Sequence, residues 1–129
     1  AEVKAFFLNH GQMAVPKFDL VFLGLGADGH TLSLFPYSKA LYEDEKRRLV
    51  VENYVEVLSQ WRVTMTAALV NTAKVCVFMA TGWQKRDAVK DILEEGSPAL
   101  PAGLIRPAGG RLFWLVDRAA ASGLKQLRR

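Results

Sequence analysis

The chain has 129 residues, 50% of them hydrophobic and 23% charged, the balance of one ordinary folded domain rather than of a disordered or fibrous segment. Its formal charge of +4 suits an anionic ligand, but Lys46-Arg47-Arg48 and Arg128-Arg129 lack the interleaved aromatics of a single-strand platform, so nucleic acid is not expected as a partner. No apolar stretch approaches the roughly 18 to 20 residues of a membrane helix and no signal-peptide pattern opens the chain, so no membrane association is expected and the cytosol is the default setting.

The chain starts at Ala1 and runs at once into Ala5-Phe6-Phe7-Leu8, the pattern of a helix that began earlier, which predicts a partial domain. His10 then falls in a helix-end loop and is read as surface. Phe18-Asp19-Leu20-Val21-Phe22-Leu23 is a nearly continuous apolar run between Pro16 and a glycine loop, as expected for a central parallel strand covered on both faces. Leu49-Val50-Val51 is a weaker strand. Thr66 opens a helical stretch through Ala73, and Val75 to Ala80 is another buried strand. Cys76 lies inside it, read as core packing; a single cysteine gives neither a disulfide nor a cysteine metal site.

Residues 84–95 form the clearest helix, with Val89, Ile92 and Leu93 on one face, Thr81 and Gln84 as a capping box, Gly96 at the stop and Pro98 beyond it. Residues 97–107 are a proline-rich loop. Leu112-Phe113-Trp114-Leu115-Val116 is a further strand, entered through Gly109-Gly110, and alanines and leucines at helical spacing over 118–127 predict a closing helix. Strands alternating with helices imply a layered α/β fold, with a mainly parallel sheet flanked by helices in a Rossmann-like manner. Ligands of such sheets sit at the carboxyl ends of strands, here the loops after Leu23 and after Ala80.

The first of these loops, Gly24-Leu25-Gly26-Ala27-Asp28-Gly29, has the G-x-G-x-x-G spacing of a dinucleotide site. Pro36 would cut short the long helix that such a site needs, and Asp28 would repel a pyrophosphate. The acids Glu43, Asp44 and Glu45, near the spacing of a ribose-binding residue, read as solvated surface. Histidine titrates near neutrality and so suits proton transfer. His30 with Asp28 as its orienting carboxylate, and the surrounding glycines, Gly26 and Gly29 as substrate-binding positions that let backbone N–H groups approach an oxyanion, would form a hydrolytic site. A simpler alternative has Asp28 and Thr31 capping a short helix with His30 packed beside them.

In the second loop, Lys85 and Arg86 fall in the first turn of a helix, where the dipole disfavours cations by roughly 0.3 to 1 kcal/mol each. A phosphate held by that helix end and by Lys85 would reverse the penalty; a solvated lysine is the alternative. Arg62 could meet an anion or form a structural ion pair.

The run from Phe18 through Gly24-Leu25-Gly26-Ala27-Asp28-Gly29-His30-Thr31-Leu32-Ser33-Leu34-Phe35-Pro36 resembles the signature of the 6-phosphogluconolactonases. Arg62-Val63-Thr64-Met65-Thr66, Thr81-Gly82-Trp83-Gln84-Lys85 and Leu112-Phe113-Trp114-Leu115-Val116-Asp117 with Ala119-Ala120 resemble the later family motifs, in family order. The resemblance covers nearly the whole chain. It implies hydrolysis of 6-phospho-D-glucono-1,5-lactone to 6-phosphogluconate in the oxidative pentose phosphate pathway, with no metal or organic cofactor. His30 and Asp28 match the family's active-site pair, and Lys85 its phosphate-binding lysine. It also implies that residues 1–129 are the C-terminal part of one phosphosugar lactonase domain, whose N-terminal half is the partner expected to complete the pocket. The related glucosamine-6-phosphate deaminases carry a similar loop, but Ser33-Leu34-Phe35-Pro36 favours the lactonases; a non-catalytic phosphosugar-binding module is the other alternative.

Overall fold

The computed structural model describes residues 2, 5, 15–42, 48–97 and 99–125. His10, the acids at 43–45, Lys46, Arg47, Pro98, Arg128 and Arg129, and the helix end at residues 6–8, lie outside them. Three strands, β1 (Leu20–Gly24), β4 (Val75–Ala80) and β5 (Arg111–Val116), form a parallel sheet in the order β1-β4-β5. The register sets Gly24 beside Met79 and Ala80 beside Val116, so all three strands end at one edge. Parallel pairing needs long crossovers: residues 25–74 connect β1 to β4 and residues 81–110 connect β4 to β5. The mixed α/β expectation and its parallel sheet are both present.

Two other strands form a separate antiparallel hairpin, β2 (Val50–Val55) and β3 (Gln60–Met65). The weak strand at Leu49-Val50-Val51 therefore belongs not to the parallel sheet but to this hairpin, and its partner over residues 60–65 had no sequence signal beyond a motif. A turn with Ser59 in the left-handed region, φ 48°, reverses the chain. Val51, Asn53 and Val55 are buried on one face of β2, and Leu34, Ala40 and Val51 make a small cluster beneath it.

Among the described residues from 15 onward, helix content is lower than the periodicity suggests. Helix α1 is a single turn, Ala67–Val70, opened as expected by Thr66, whose Oγ1 accepts from the Leu69 amide at 3.3 Å. Helix α2 is Arg86–Leu93, preceded by a 3-10 turn at Trp83–Lys85. The expected capping box of Thr81 and Gln84 is not formed, because residue 82 rather than 81 occupies the cap of that turn and no side chain bonds there. Gly96, at φ 61°, stands beyond the helix end as predicted. The closing helix over 118–127 is reduced in the described residues to a 3-10 turn, Ala120–Gly123.

The main core lies on one side of the parallel sheet. Leu23, Cys76, Phe78 and Val89 are buried there, with Ala88, Ile105 and Ala120 around them. The Phe78 and Trp114 rings stack at a centroid distance of 4.2 Å and an angle of 14°. Burial pushes the Cys76 thiol up from its ordinary value, and Sγ points at the Val70 carbonyl, so this cysteine is core, as expected. The opposite side of the sheet is different: Leu20, Phe22, Met79, Phe113 and Leu115 are exposed, Phe22 by 58%. β1 is accordingly an edge strand of the described sheet with one apolar face open, not the central, doubly covered strand that its sequence suggests.

Candidate active site

The parallel pairing of β1 with β4 brings the two loops singled out in the sequence to the same sheet edge. The loop after Gly24 carries Asp28 and His30, and the loop after Ala80 leads to Lys85. In the first, Asp28 Oδ1 lies 2.6 Å from His30 Nδ1 and also accepts the His30 backbone N–H at 3.1 Å. Partial burial pushes the Asp28 carboxyl up, but the hydrogen bonds from the His30 ring and amide outweigh it and hold the group below its ordinary value. An ionised carboxylate only accepts. Nδ1 therefore carries the proton, which leaves Nε2 as the basic nitrogen of the neutral ring.

No helix follows the loop, so the capping alternative for Asp28 and Thr31 is not realised. Thr31 instead donates its hydroxyl to the Gly24 carbonyl at 2.8 Å and pairs with Leu34 in a short bridge. The glycines Gly26 and Gly29 bond within the loop. The Gly26 amide donates to the His30 carbonyl at 2.8 Å and the Gly29 amide to Gly26 at 3.0 Å, so both N–H groups are spent inside the loop rather than presented to an oxyanion. What glycine supplies at 26 is space: a Cβ there would stand 2.0 Å from His30 Nδ1 and 2.5 Å from Asp28 Oδ1. At Gly29, φ is 79° and Leu100 closes over the position.

Three supports of this loop escaped the sequence reading. Phe35 stacks on the His30 ring at a centroid distance of 4.1 Å and an angle of 18°. Asn53, buried on β2, donates to the Ser33 carbonyl at 2.8 Å, while Thr64 on β3 accepts the Ser33 amide at 3.2 Å. The signal for Asn53 was present, since it falls in phase with Val51 and Val55 on a buried face. Nothing local says which backbone it serves.

Arg62 pairs with Asn53 across the hairpin and so shares the face that grips Ser33. It is exposed and donates to Gln60 at 2.9 Å, and among the described residues it has no carboxylate partner, against the ion-pair alternative. Around Lys85 the charges divide. Arg86 is matched by Asp87, Nε to Oδ1 at 2.9 Å, whereas the Lys85 side chain makes no hydrogen bond or ion pair among the described residues. Among those residues, no group of three or more His, Cys, Asp or Glu could hold a metal ion, and no helix is long and apolar enough to cross a membrane.

Comparison with known proteins places this geometry among relatives. The chain is 45% identical over 107 residues to a 6-phosphogluconolactonase of Rattus norvegicus, covering 83% of this chain and 41% of the relative. A 6-phosphogluconolactonase of Homo sapiens is 44% identical over 110 residues, covering 84% and 42%. The solved 6-phosphogluconolactonase of Trypanosoma brucei superposes with a TM-score of 0.76 at 30% identity, over 95% of this chain and 52% of that one. The chain thus spans about two fifths of the length of these curated relatives. The family model for glucosamine-6-phosphate isomerases/6-phosphogluconolactonase matches residues 1–114, and with the pair at one strand end and the free lysine at the next, the chain belongs to that family.

Proposed function

We propose that the protein to which these residues belong hydrolyses 6-phospho-D-glucono-1,5-lactone to 6-phosphogluconate, with His30 as general base. The observation that carries this reading is the 2.6 Å contact between His30 and Asp28 at the sheet edge that also bears Lys85. Nε2 of His30 takes a proton from water as its oxygen attacks the lactone carbonyl. The tetrahedral intermediate then expels the ring oxygen, which receives that proton from the imidazolium. Asp28 fixes the ring and stabilises its charged form. Lys85 holds the 6-phosphate as a point charge and Arg62 is a second cation for the anionic substrate.

The remaining part of such a domain, an N-terminal half, would complete the pocket. Two facts support it: the share of the relatives that is matched, and the uncovered apolar face of a sheet type that is normally covered on both sides. The test is a coupled assay on the full-length protein. Lactone consumption is expected, and it should fall by at least about a thousandfold in His30→Ala while phosphosugar binding persists. Release of ammonia from glucosamine 6-phosphate would move the assignment to the deaminases. Binding without any turnover would make the protein a phosphosugar-binding module.

A further inference from the structure

The carboxylate at the end of β5 is bound into the loop that leads to Lys85. β5 ends at Val116, opposite Ala80 of β4, so residues 81 and 117 leave the sheet side by side. Asp117 accepts the Gly82 amide with both oxygens, at 3.0 and 3.2 Å, and the Ala120 amide with Oδ1 at 2.7 Å. Its own amide donates to the Ala80 carbonyl at 3.3 Å. One side chain therefore ties the start of the loop after β4 to the turn after β5. The backbone bonds hold the carboxyl below its ordinary value, so it stays ionised at neutral pH.

Gly82 needs such a tie. It sits at φ 91° and ψ 150°, where an L side chain is strained, and it passes the constraint on, because its carbonyl accepts the Lys85 amide at 3.1 Å. The path is continuous from the Asp117 carboxylate through the Gly82 peptide to the Lys85 backbone. At the far side of the same turn, Gly123 packs against Arg86: a Cβ there would stand 2.9 Å from Arg86 Cγ. The start of α2 is thus held from both sides by the segment after β5.

We infer that Asp117 is a positioning residue for phosphate recognition: by fixing the Gly82 amide it sets the backbone from which Lys85 reaches the substrate phosphate. The inference rests on the proposed role of Lys85. It contributes no group to the lactone carbonyl, so its effect is confined to binding of the phosphorylated end.

The experiment uses the full-length enzyme, two substrates and a double-mutant cycle. The substrates are 6-phospho-D-glucono-1,5-lactone and the unphosphorylated glucono-1,5-lactone. Asp117→Ala is expected to raise KM for the phosphorylated lactone by about tenfold, with kcat within about twofold and kcat/KM for the unphosphorylated lactone unchanged. Lys85→Ala should show the same selectivity, and the double variant should cost little more than Lys85→Ala alone, because both changes act on one interaction. Asp117→Asn, which keeps one accepting oxygen, should lie between wild type and Asp117→Ala, and it carries the test if the alanine variant does not fold. Equal losses on both lactones, additive effects with Lys85→Ala, or an unchanged KM would each overturn the role of Asp117. If Lys85→Ala itself fails to discriminate between the lactones, the phosphate role of Lys85 fails instead, and the inference with it.

Discussion

At the scale of single residues, the proposed catalytic pair depends on a missing atom. Asp28 and His30 are two positions apart and close a tight ring of hydrogen bonds, possible only because position 26 carries no Cβ. Gly26→Ala would press a methyl group against Nδ1 and Oδ1 and separate them. Misplacing a catalytic group by about 1 Å can cost on the order of a hundredfold in rate. The expected outcome is a drop of that order in kcat, with KM for the phosphorylated lactone little changed, since Lys85 is on another loop. Steady-state kinetics of the full-length variant checks this, and a wild-type kcat would show that the pair does not need the space. Phe35 adds a second restraint by stacking on the ring.

At the scale of elements, the hairpin β2–β3 acts as a brace for the loop after β1. Ser33 gives its carbonyl to Asn53 and its amide to Thr64, so two strands far along the chain fix the segment just beyond His30. Asn53→Ala leaves the partly buried Ser33 carbonyl without that donor, at a cost of about 1 kcal/mol. Denaturant unfolding should show a lower midpoint with an unchanged slope, together with weakened turnover. An equally stable variant would mean that water replaces the amide. The hairpin also explains why Arg62 lies on this side of the molecule: cross-strand partners share a face, and Arg62 is opposite Asn53.

At the scale of the whole molecule, the layers are unequal. One side of the parallel sheet packs against α2, Ala102, Ile105 and the Ala120–Gly123 turn, while Leu20, Phe22, Met79, Phe113 and Leu115 line the other. A contiguous apolar face of this kind marks a surface that binds another element. Residues 1–129 by themselves are therefore expected to associate with rising concentration in sedimentation velocity. Replacing Phe22 and Leu115 by serine should reduce that association without changing the register of the strands. A monodisperse monomer at high concentration would show that the face is covered by other means.

Local chemistry alone determined a good part of this. Strands β1, β4 and β5 followed from short apolar runs bounded by glycine or proline, the Thr66 cap from its side chain, and the Asp28–His30 pair from proximity along the chain, because each of these depends on residues a few positions apart. The capping box at Thr81 and the closing helix were misread from the same local signals. A tertiary bond overrides propensity at the first of these: Asp117 holds the Gly82 amide. The hairpin brace and the pairing of β1 directly with β4 could be decided only by the fold, since hydrogen bonds between residues tens of positions apart exist once strand order and register are set.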